Sequence, residues 1–169
     1  MKIALPFSTF SIVLCLFCST SSYAQSLTYT DLQFALTHPM PEIKEKLLAK
    51  GLAYISTVDL DSTQQNKNHM YIKDADNINY VGFAVLTFKN EIYGSTITTL
   101  KLAEHNKLIQ EIKTLGFTLH GSEKFGVNWY TQYRKGGLEV EIQIGPTEIG
   151  QTMYNITLRD LAKTKLVYP

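Results

Sequence analysis

A pair of glycines at positions 136 and 137 separates two segments in which apolar and polar residues alternate. Two consecutive glycines are typical of the tight turn of a β-hairpin, since that turn needs positive φ angles. Pairing across the turn places on one face Tyr133 with Val140, Thr131 with Ile142, and Trp129 with Ile144. The other face then carries Arg134 with Glu139, Gln132 with Glu141, and Tyr130 with Gln143. A slip of one residue would exchange the two faces, so the alternation predicts this register.

The same two periodicities, helical and alternating, predict the remaining elements. Ile43 and Leu47 recur at helical spacing after Pro41, and Gly51 suits the end of that helix. Helices are predicted to begin near 31, 41 and 100, and strands to lie at 52–59, 70–73, 79–88, 92–98, 117–121, 128–134, 138–144 and 153–159. A polar loop is predicted at 61–68 and a turn at 74–77, and a tail follows the last strand up to Pro169. These elements indicate an α+β fold.

The sheet predicted in the second half has one apolar and one polar face. Tyr154, Ile156 and Leu158 continue the apolar face of the hairpin at 128–144. We expect a helix to pack on that face and Trp129 to be buried there, because large aromatic side chains dominate core energetics.

The strand predicted at 79–88 differs because both of its faces are apolar. One face carries Val81, Phe83 and Val85, and the other Tyr80, Leu86 and Phe88. A strand of this kind is usually covered on both sides. We expect the second half, the first helix or the tail to cover it. The alternative is that the face with Val81, Phe83 and Val85 stays exposed and binds another protein.

The two halves of the chain follow one order of elements: a helix, a glycine and then four strands. EKLLAKGLAYIS parallels QEIKTLGFTLHG, MYIK parallels WYTQYR, and IYGSTIT parallels MYNITLR. Such self-similarity predicts two α-β4 units, at 25–99 and 100–169, each an antiparallel sheet with a helix on one face. The alternative is that α+β proteins share this order by chance.

The tandem α-β4 order over residues 31–159 resembles the architecture of the β-lactamase inhibitor proteins. The segment KTLGFTLHGSE is also similar to uncharacterised secreted proteins of the Bacteroidetes. These resemblances imply the fold of two similar units in an exported protein. They do not imply β-lactamase binding, because the disulfides usual in that inhibitor family have no counterpart here.

The first 24 residues have the order of a secretory signal peptide. Lys2 precedes an apolar run at 3–17, small polar residues follow, and Ser22-Tyr23-Ala24 is a small-x-small cleavage site. The run is shorter than the ~20 residues of a membrane span. We expect cleavage after Ala24 and an exported protein, periplasmic or secreted, with no membrane span.

The composition beyond residue 24 narrows the range of partners. Both cysteines, Cys15 and Cys18, lie in the leader, so packing alone must stabilise the exported chain. Of 16 Lys and Arg residues only Lys2 is in the leader, which leaves 15 to balance 15 Asp and Glu. A nucleic-acid-binding protein needs a basic surface. We therefore expect no nucleic-acid partner.

One loop has the opening rhythm of a calcium site. Asp59, Asp61 and Thr63 have suitable spacing, but Gln64 and Met70 stand where such a loop needs Gly and Glu. The four histidines show no metal-ligand spacing. We expect solvated loop acids, no metal and no cofactor.

Two carboxylates, Glu139 and Glu141, are predicted to share one strand face. Paired carboxylates perform glycoside hydrolysis in other proteins. Alternating Glu is also the ordinary pattern of a strand that faces solvent, and Arg134 lies beside the pair. We expect no catalytic residue here.

The sequence therefore favours a non-catalytic extracytoplasmic protein that binds another protein, with an inhibitor or immunity role. Tyr and Arg are residue types that dominate protein interfaces. The candidate contact residues lie on the outer face of the hairpin or on the apolar strand: Asn128, Tyr130, Gln132, Arg134, Glu141, Gln143, Val81, Phe83 and Val85. The alternatives are a small envelope hydrolase and a structural or assembly component of the envelope.

Overall fold

The computed structural model describes residues 26–73 and 80–167, so the predicted leader at 1–24 and the predicted turn at 74–77 lie outside the described residues. The elements in the described ranges are α1 Tyr29–Thr37, α2 Met40–Ala49, β1 Ala53–Asp59, β2 Asn66–Lys73, β3 Val81–Phe88, β4 Glu91–Thr99, α3 Leu102–Thr114, β5 Thr118–Phe125, β6 Asn128–Lys135, β7 Leu138–Pro146, β8 Thr152–Asp160 and α4 Leu161–Val167. The fold is mixed α+β, as the sequence predicts.

All eight strands form one antiparallel sheet in the order β1-β2-β3-β4-β8-β7-β6-β5. The expectation of two separate sheets is therefore corrected. The join is the pairing of β4 with β8, in which Ile97 lies opposite Ile156 and Thr96 opposite Thr157. At the join both strands put an isoleucine on one face and a threonine on the other, so they can share a single pair of faces. Joining them also removes two sheet edges whose backbone groups would need other partners.

The β6–β7 hairpin has the predicted register at all six pairs, from Trp129 opposite Ile144 to Arg134 opposite Glu139. The expected burial of Trp129 is wrong, because its side chain is 53% exposed. The helices α1 and α3 contact β4 and β8, at the centre of the sheet. Trp129 lies near the start of β6, two strands away from β8, so hairpin pairing alone does not bury it.

The covered face of the sheet holds the core. Val81, Phe83 and Val85 are all buried, in one cluster with Ile97, Ile156 and helical side chains. The alternative of an exposed apolar patch on β3 is therefore corrected, and these three residues are not available to a partner. The helical members of the same cluster come from three helices: Leu32 and Ala35, Ile43 and Leu47, and Leu108 and Ile112.

The helix α1 begins at Tyr29, with Thr28 as its N-cap, two residues before the predicted start near 31. Asp31 accepts hydrogen bonds from the Thr28 backbone N–H and hydroxyl, at 2.9 and 3.1 Å. Its carboxylate also pairs with Lys46 of α2 at 3.3 Å and with Lys50, the residue that follows α2, at 2.7 Å. Burial raises the pKa of Asp31, but the hydrogen bonds from Lys50 and Thr28 outweigh it, so the pKa is lowered. This ion cluster joins the first two helices.

Two further boundaries differ from the predictions. The strand β2 begins at Asn66, inside the predicted loop at 61–68, and the tail forms the short helix α4. Asn66 is buried and accepts a hydrogen bond from the Tyr93 hydroxyl at 3.0 Å. This bond satisfies the polar side chain, so Asn66 can be part of a strand. None of the helices within the described residues is long and apolar enough to cross a bilayer.

Candidate functional site

The face of the sheet opposite the core carries a broad polar surface, which we call the open face. The helices α1, α2 and α3 all pack on the other side, where their apolar residues join the core. The open face is defined by alternate residues of β3, β4, β8, β7 and β6: Gly82, Ala84, Leu86, Gly94, Thr96, Thr98, Asn155, Thr157, Arg159, Glu139, Glu141, Gln143, Asn128, Tyr130, Gln132 and Arg134. Most of them are partly exposed. This surface is therefore accessible to a partner.

A depression of about 370 Å³ crosses the open face from β2 to β7. Its floor consists of small side chains on β3 and β4, among them Gly82, Ala84 and Thr96. A methyl group at Gly82 would lie only 2.9 Å from the Tyr80 hydroxyl, so glycine allows Tyr80 to pack close to the sheet. The depression thus exists because large side chains are missing from the middle of two adjacent strands.

Hydroxyl and amide groups form a chain of hydrogen bonds across the depression. The Thr98 hydroxyl donates to Asn155 Oδ1 at 2.7 Å, and Asn155 Nδ2 donates to Gln143 Oε1 at 3.3 Å. The hydroxyls of Thr96 and Thr157 lie 3.0 Å apart. These bonds connect β4, β8 and β7. They hold the polar side chains in fixed positions, which reduces the entropy that a partner must remove on binding.

Four charged residues form a ladder, and two of them, Glu141 and Arg159, line the depression. Arg134 Nη2 lies 2.7 Å from Glu139 Oε2, and Arg159 bridges Glu139 at 3.8 Å and Glu141 at 2.9 Å. The Glu139 side chain is only 7% exposed, whereas that of Arg134 is 39% exposed. The two arginines, which are the only ones in the sequence, therefore both lie on the open face. Because charges of both signs alternate along it, the ladder is electrically balanced.

Six of the predicted site residues lie near one another on the open face. Glu141 and Gln143 line the depression. Tyr130 and Gln132 line a smaller hollow of about 260 Å³ beside it, with His120 and Glu123. Arg134 belongs to the ladder. Asn128, the sixth, fills the space where a side chain at Gly145 would lie.

The residues at the centre of this site lie outside the set that the sequence predicts. Thr96, Thr98, Asn155, Thr157 and Arg159 were not among the predicted contact residues, although all five line the depression. Each alternates with a buried aliphatic or aromatic residue along its strand, which is the signal of an outward-facing position. The pairing of β4 with β8, which places them side by side, joins residues about 60 positions apart, as for Thr96 and Thr157.

The acidic loop after β1 is a structural turn. Asp61 accepts hydrogen bonds from the backbone N–H groups of Thr63, Gln65 and Asn66. Desolvation raises the pKa of Asp61, but these bonds and one from the Thr63 hydroxyl outweigh it and lower the pKa. In the described part of the chain, no three His, Cys, Asp or Glu side chains are grouped closely enough to hold a metal ion.

Two histidines are partly or fully buried away from the open face. The His105 ring lies 4.5 Å from the Tyr154 ring, and its Nε2 atom has no hydrogen-bond partner among the described residues. Burial lowers the pKa of His105, although a hydrogen bond with Asn106 opposes the change. His69 lies between the hydroxyls of Thr57 and Thr87, at 2.9 and 3.1 Å. His105 belongs to the packed interior, and His69 is partly exposed on the covered side, so neither is part of the candidate site.

Comparison with known proteins does not place the chain in a family. No protein-family model, no curated protein and no solved structure matches it. The function must therefore be inferred from the geometry of the open face.

Proposed function

We propose that this chain is an exported, non-catalytic protein that binds another protein through the open face of its sheet. The observation that carries the proposal is the accessible polar surface, with its depression of about 370 Å³ and its hydrogen-bonded side chains. A depression of this size accommodates one or two protruding side chains of a partner. The surrounding strands supply the additional area that a stable protein interface needs, about 800 Å² on each side.

The residue types of the open face fit this role. Tyr130 and Arg134 lie at one side of the face, and both residue types are enriched where binding energy is concentrated. Arg159 and Glu141 pair with each other at 2.9 Å, so a partner meets a charge-balanced surface. Electrostatic complementarity to such a surface selects a partner with charges in the matching order.

The proposal includes two further parts: cleavage of a leader at 1–24, and descent from two α-β4 units, at 25–99 and 100–169. The strand order supports the units, because four consecutive strands run from one edge to the centre and the next four from the other edge to the centre. The resemblance of this order to the β-lactamase inhibitor proteins favours an inhibitor or immunity role.

An affinity capture experiment with two open-face variants tests the binding proposal. Ala84→Arg would fill the depression from its floor, and Tyr130→Ala would remove an aromatic contact beside it. Tyr54→Ala is the matched control, because Tyr54 is 45% exposed but lies on the other face of β1. Each protein would be used to capture partners from an envelope extract, and each recovered protein would then be purified and titrated by calorimetry.

The expected result is one partner that binds wild type and Tyr54→Ala with equal affinity. Ala84→Arg should weaken this binding at least tenfold, and Tyr130→Ala should weaken it by a smaller factor. All variants must keep the wild-type unfolding midpoint. Equal affinity of the partner for wild type and Ala84→Arg would show that the open face is not the binding surface.

The edge strands support a second candidate, an assembly component of the envelope. The strand β5 has eight residues, all but one exposed, and lies at one edge of the sheet. An unpaired edge can add a strand from another chain. Sedimentation at several concentrations tests this candidate, which predicts a mass that rises with concentration. A constant monomer mass would exclude self-assembly through this edge.

A further inference from the structure

Three chain connections at one end of the sheet present exposed apolar side chains. The β5–β6 hairpin carries Phe125 at the end of β5, Val127 in the turn and Trp129 near the start of β6, which are 77%, 69% and 53% exposed. The β7–β8 turn carries Ile149, and α3 begins with Leu102, which are 65% and 56% exposed. We call these five residues the apolar tips. These five residues are more than a third of the exposed large hydrophobic residues in the described part of the chain.

The strand registers place all three connections at the same end. Trp129, at the start of β6, lies opposite Ile144, near the end of β7. Ile144 in turn lies opposite Tyr154 at the start of β8, and Tyr154 lies opposite Thr99 at the end of β4. Since neighbouring strands lie about 4.8 Å apart, the β5–β6 and β7–β8 turns are separated by about 10 Å.

We propose that the apolar tips bind the surface of a lipid bilayer, with the side chains of both turns entering the boundary between headgroups and acyl chains. Phe125 and Val127 would supply apolar contact, and Trp129 suits this boundary because its ring is apolar while its indole N–H can hydrogen-bond. Phe125 lies opposite Asn128 at the end of the open face, whereas Trp129 lies on the covered side, so the hairpin would enter the bilayer by its end. The depression would stay free for a protein partner.

The distribution of the tips favours a bilayer over a protein partner. Charged residues, including Lys124, Glu148 and Lys101, lie in or next to the three connections. A protein would need a separate pocket for each tip, whereas the fluid boundary of a bilayer accepts each tip independently. The Lys124 amine lies 5.7 Å from the centre of the Trp129 ring, and a lysine of this kind can extend its amine toward the headgroups.

The backbone of the β7–β8 turn is suited to this environment. In the β7–β8 turn the Thr147 N–H donates to Gln151 O at 2.7 Å, and the Gly150 N–H donates to Thr147 O at 2.9 Å. Backbone groups that enter an apolar medium must be hydrogen-bonded within the protein. The flanking charges have both signs, with Glu123 beside Lys124 in sequence. Binding should therefore occur on zwitterionic lipid and depend little on salt.

Trp129 is the only tryptophan of the chain, so its fluorescence reports on the tips alone. The full chain would be titrated with phosphatidylcholine vesicles, with and without brominated acyl chains, in low and high salt. We expect a blue shift of the Trp129 emission, quenching by brominated lipid, and at least a twofold fall in the acrylamide quenching constant. These readouts are required because the apolar run at 3–17 could itself bring the chain to a vesicle.

Two variants assign the effect to the tips. Phe125→Ser combined with Val127→Ser should return the acrylamide quenching constant to its lipid-free value and abolish quenching by brominated lipid. Leu119→Ser is the control, because Leu119 is 63% exposed on the same hairpin but lies toward the opposite end of β5. An unchanged Trp129 emission at saturating lipid would overturn the proposal, as would equal losses in the double variant and the control.

Discussion

The two faces of the sheet are built from the same strands, but one face packs into the core and the other carries polar side chains. In β4 and β8, Ile97 and Ile156 are buried beneath the helices, whereas Thr96 and Thr157, one position away, meet on the open face. The covered face is held by apolar packing. The open face is held by hydrogen bonds and ion pairs, which contribute less stability but keep polar groups near solvent. The difference teaches that folding depends mainly on the covered face, whereas the other face keeps its polar side chains near solvent.

The largest difference in stability between the two faces should appear when side chains are truncated to alanine. Ile156→Ala removes a fully buried side chain and should lower the free energy of unfolding by about 2–5 kcal/mol, because it leaves a cavity. Urea denaturation measures this change. Its neighbour Asn155, truncated to alanine, is the matched open-face variant. Equal losses for the two variants would contradict the assignment of the faces.

The next largest effect is expected at the charged ladder. Arg159→Leu removes the partner shared by Glu139 and Glu141 and should cost about 1–3 kcal/mol, since charge-assisted hydrogen bonds are lost. Adding Glu141→Leu should restore part of this loss, which a double-mutant cycle would measure. Lys165→Leu, on the exposed side of α4, is the control. A loss no greater than that of the control would show that the ladder is unimportant for stability.

A smaller effect is expected at the amide chain of the open face. Asn155→Ala breaks the bonds to Thr98 and Gln143 and should cost about 0.5–1.5 kcal/mol, because water can replace them in part. Asn155→Asp keeps the acceptor for Thr98 and should cost less. Thermal unfolding of the three proteins in one buffer provides the comparison. If Asn155→Ala proved as stable as the wild type, the hydrogen bonds of Asn155 would contribute nothing to folding.

The smallest effect at neutral pH should come from His105, on the covered side. Burial lowers its pKa, so the unfolded chain binds a proton more readily and stability falls as the pH drops below about 6.5. His105→Phe should retain the ring contact with Tyr154 and reduce this loss between pH 7.5 and 5.5. His69 has a pKa lowered by burial and by Lys67, so part of the pH dependence should remain.

Denaturation at the two pH values, with the exposed His120→Gln as control, measures the His105 contribution. The control should show the wild-type difference in unfolding free energy between pH 7.5 and 5.5. An unchanged difference in His105→Phe would mean that this histidine is not protonated preferentially in the unfolded chain.

The accuracy of the sequence predictions depended on how far apart the interacting residues are. The register of Trp129 with Ile144 follows from a two-residue turn and local alternation, and it is confirmed. The burial of Trp129 could not be predicted this way, because it depends on where α1 and α3 pack. The sequence predicts Asp31 only near a helix start, yet its ion-pair partners are Lys46 in the next helix and Lys50 just after it.

The sequence by itself determined the mixed α+β composition, the local hairpin register and six residues of the open face. These features depend on turn chemistry and on an alternation of period two, which act between near neighbours. Only the tertiary structure decided that β4 joins β8, that a depression of small residues forms across the join, and that the apolar tips gather at one end. The reason is physical: these arrangements bring together residues about 20–60 positions apart, whose contacts arise from packing of the whole sheet against its helices.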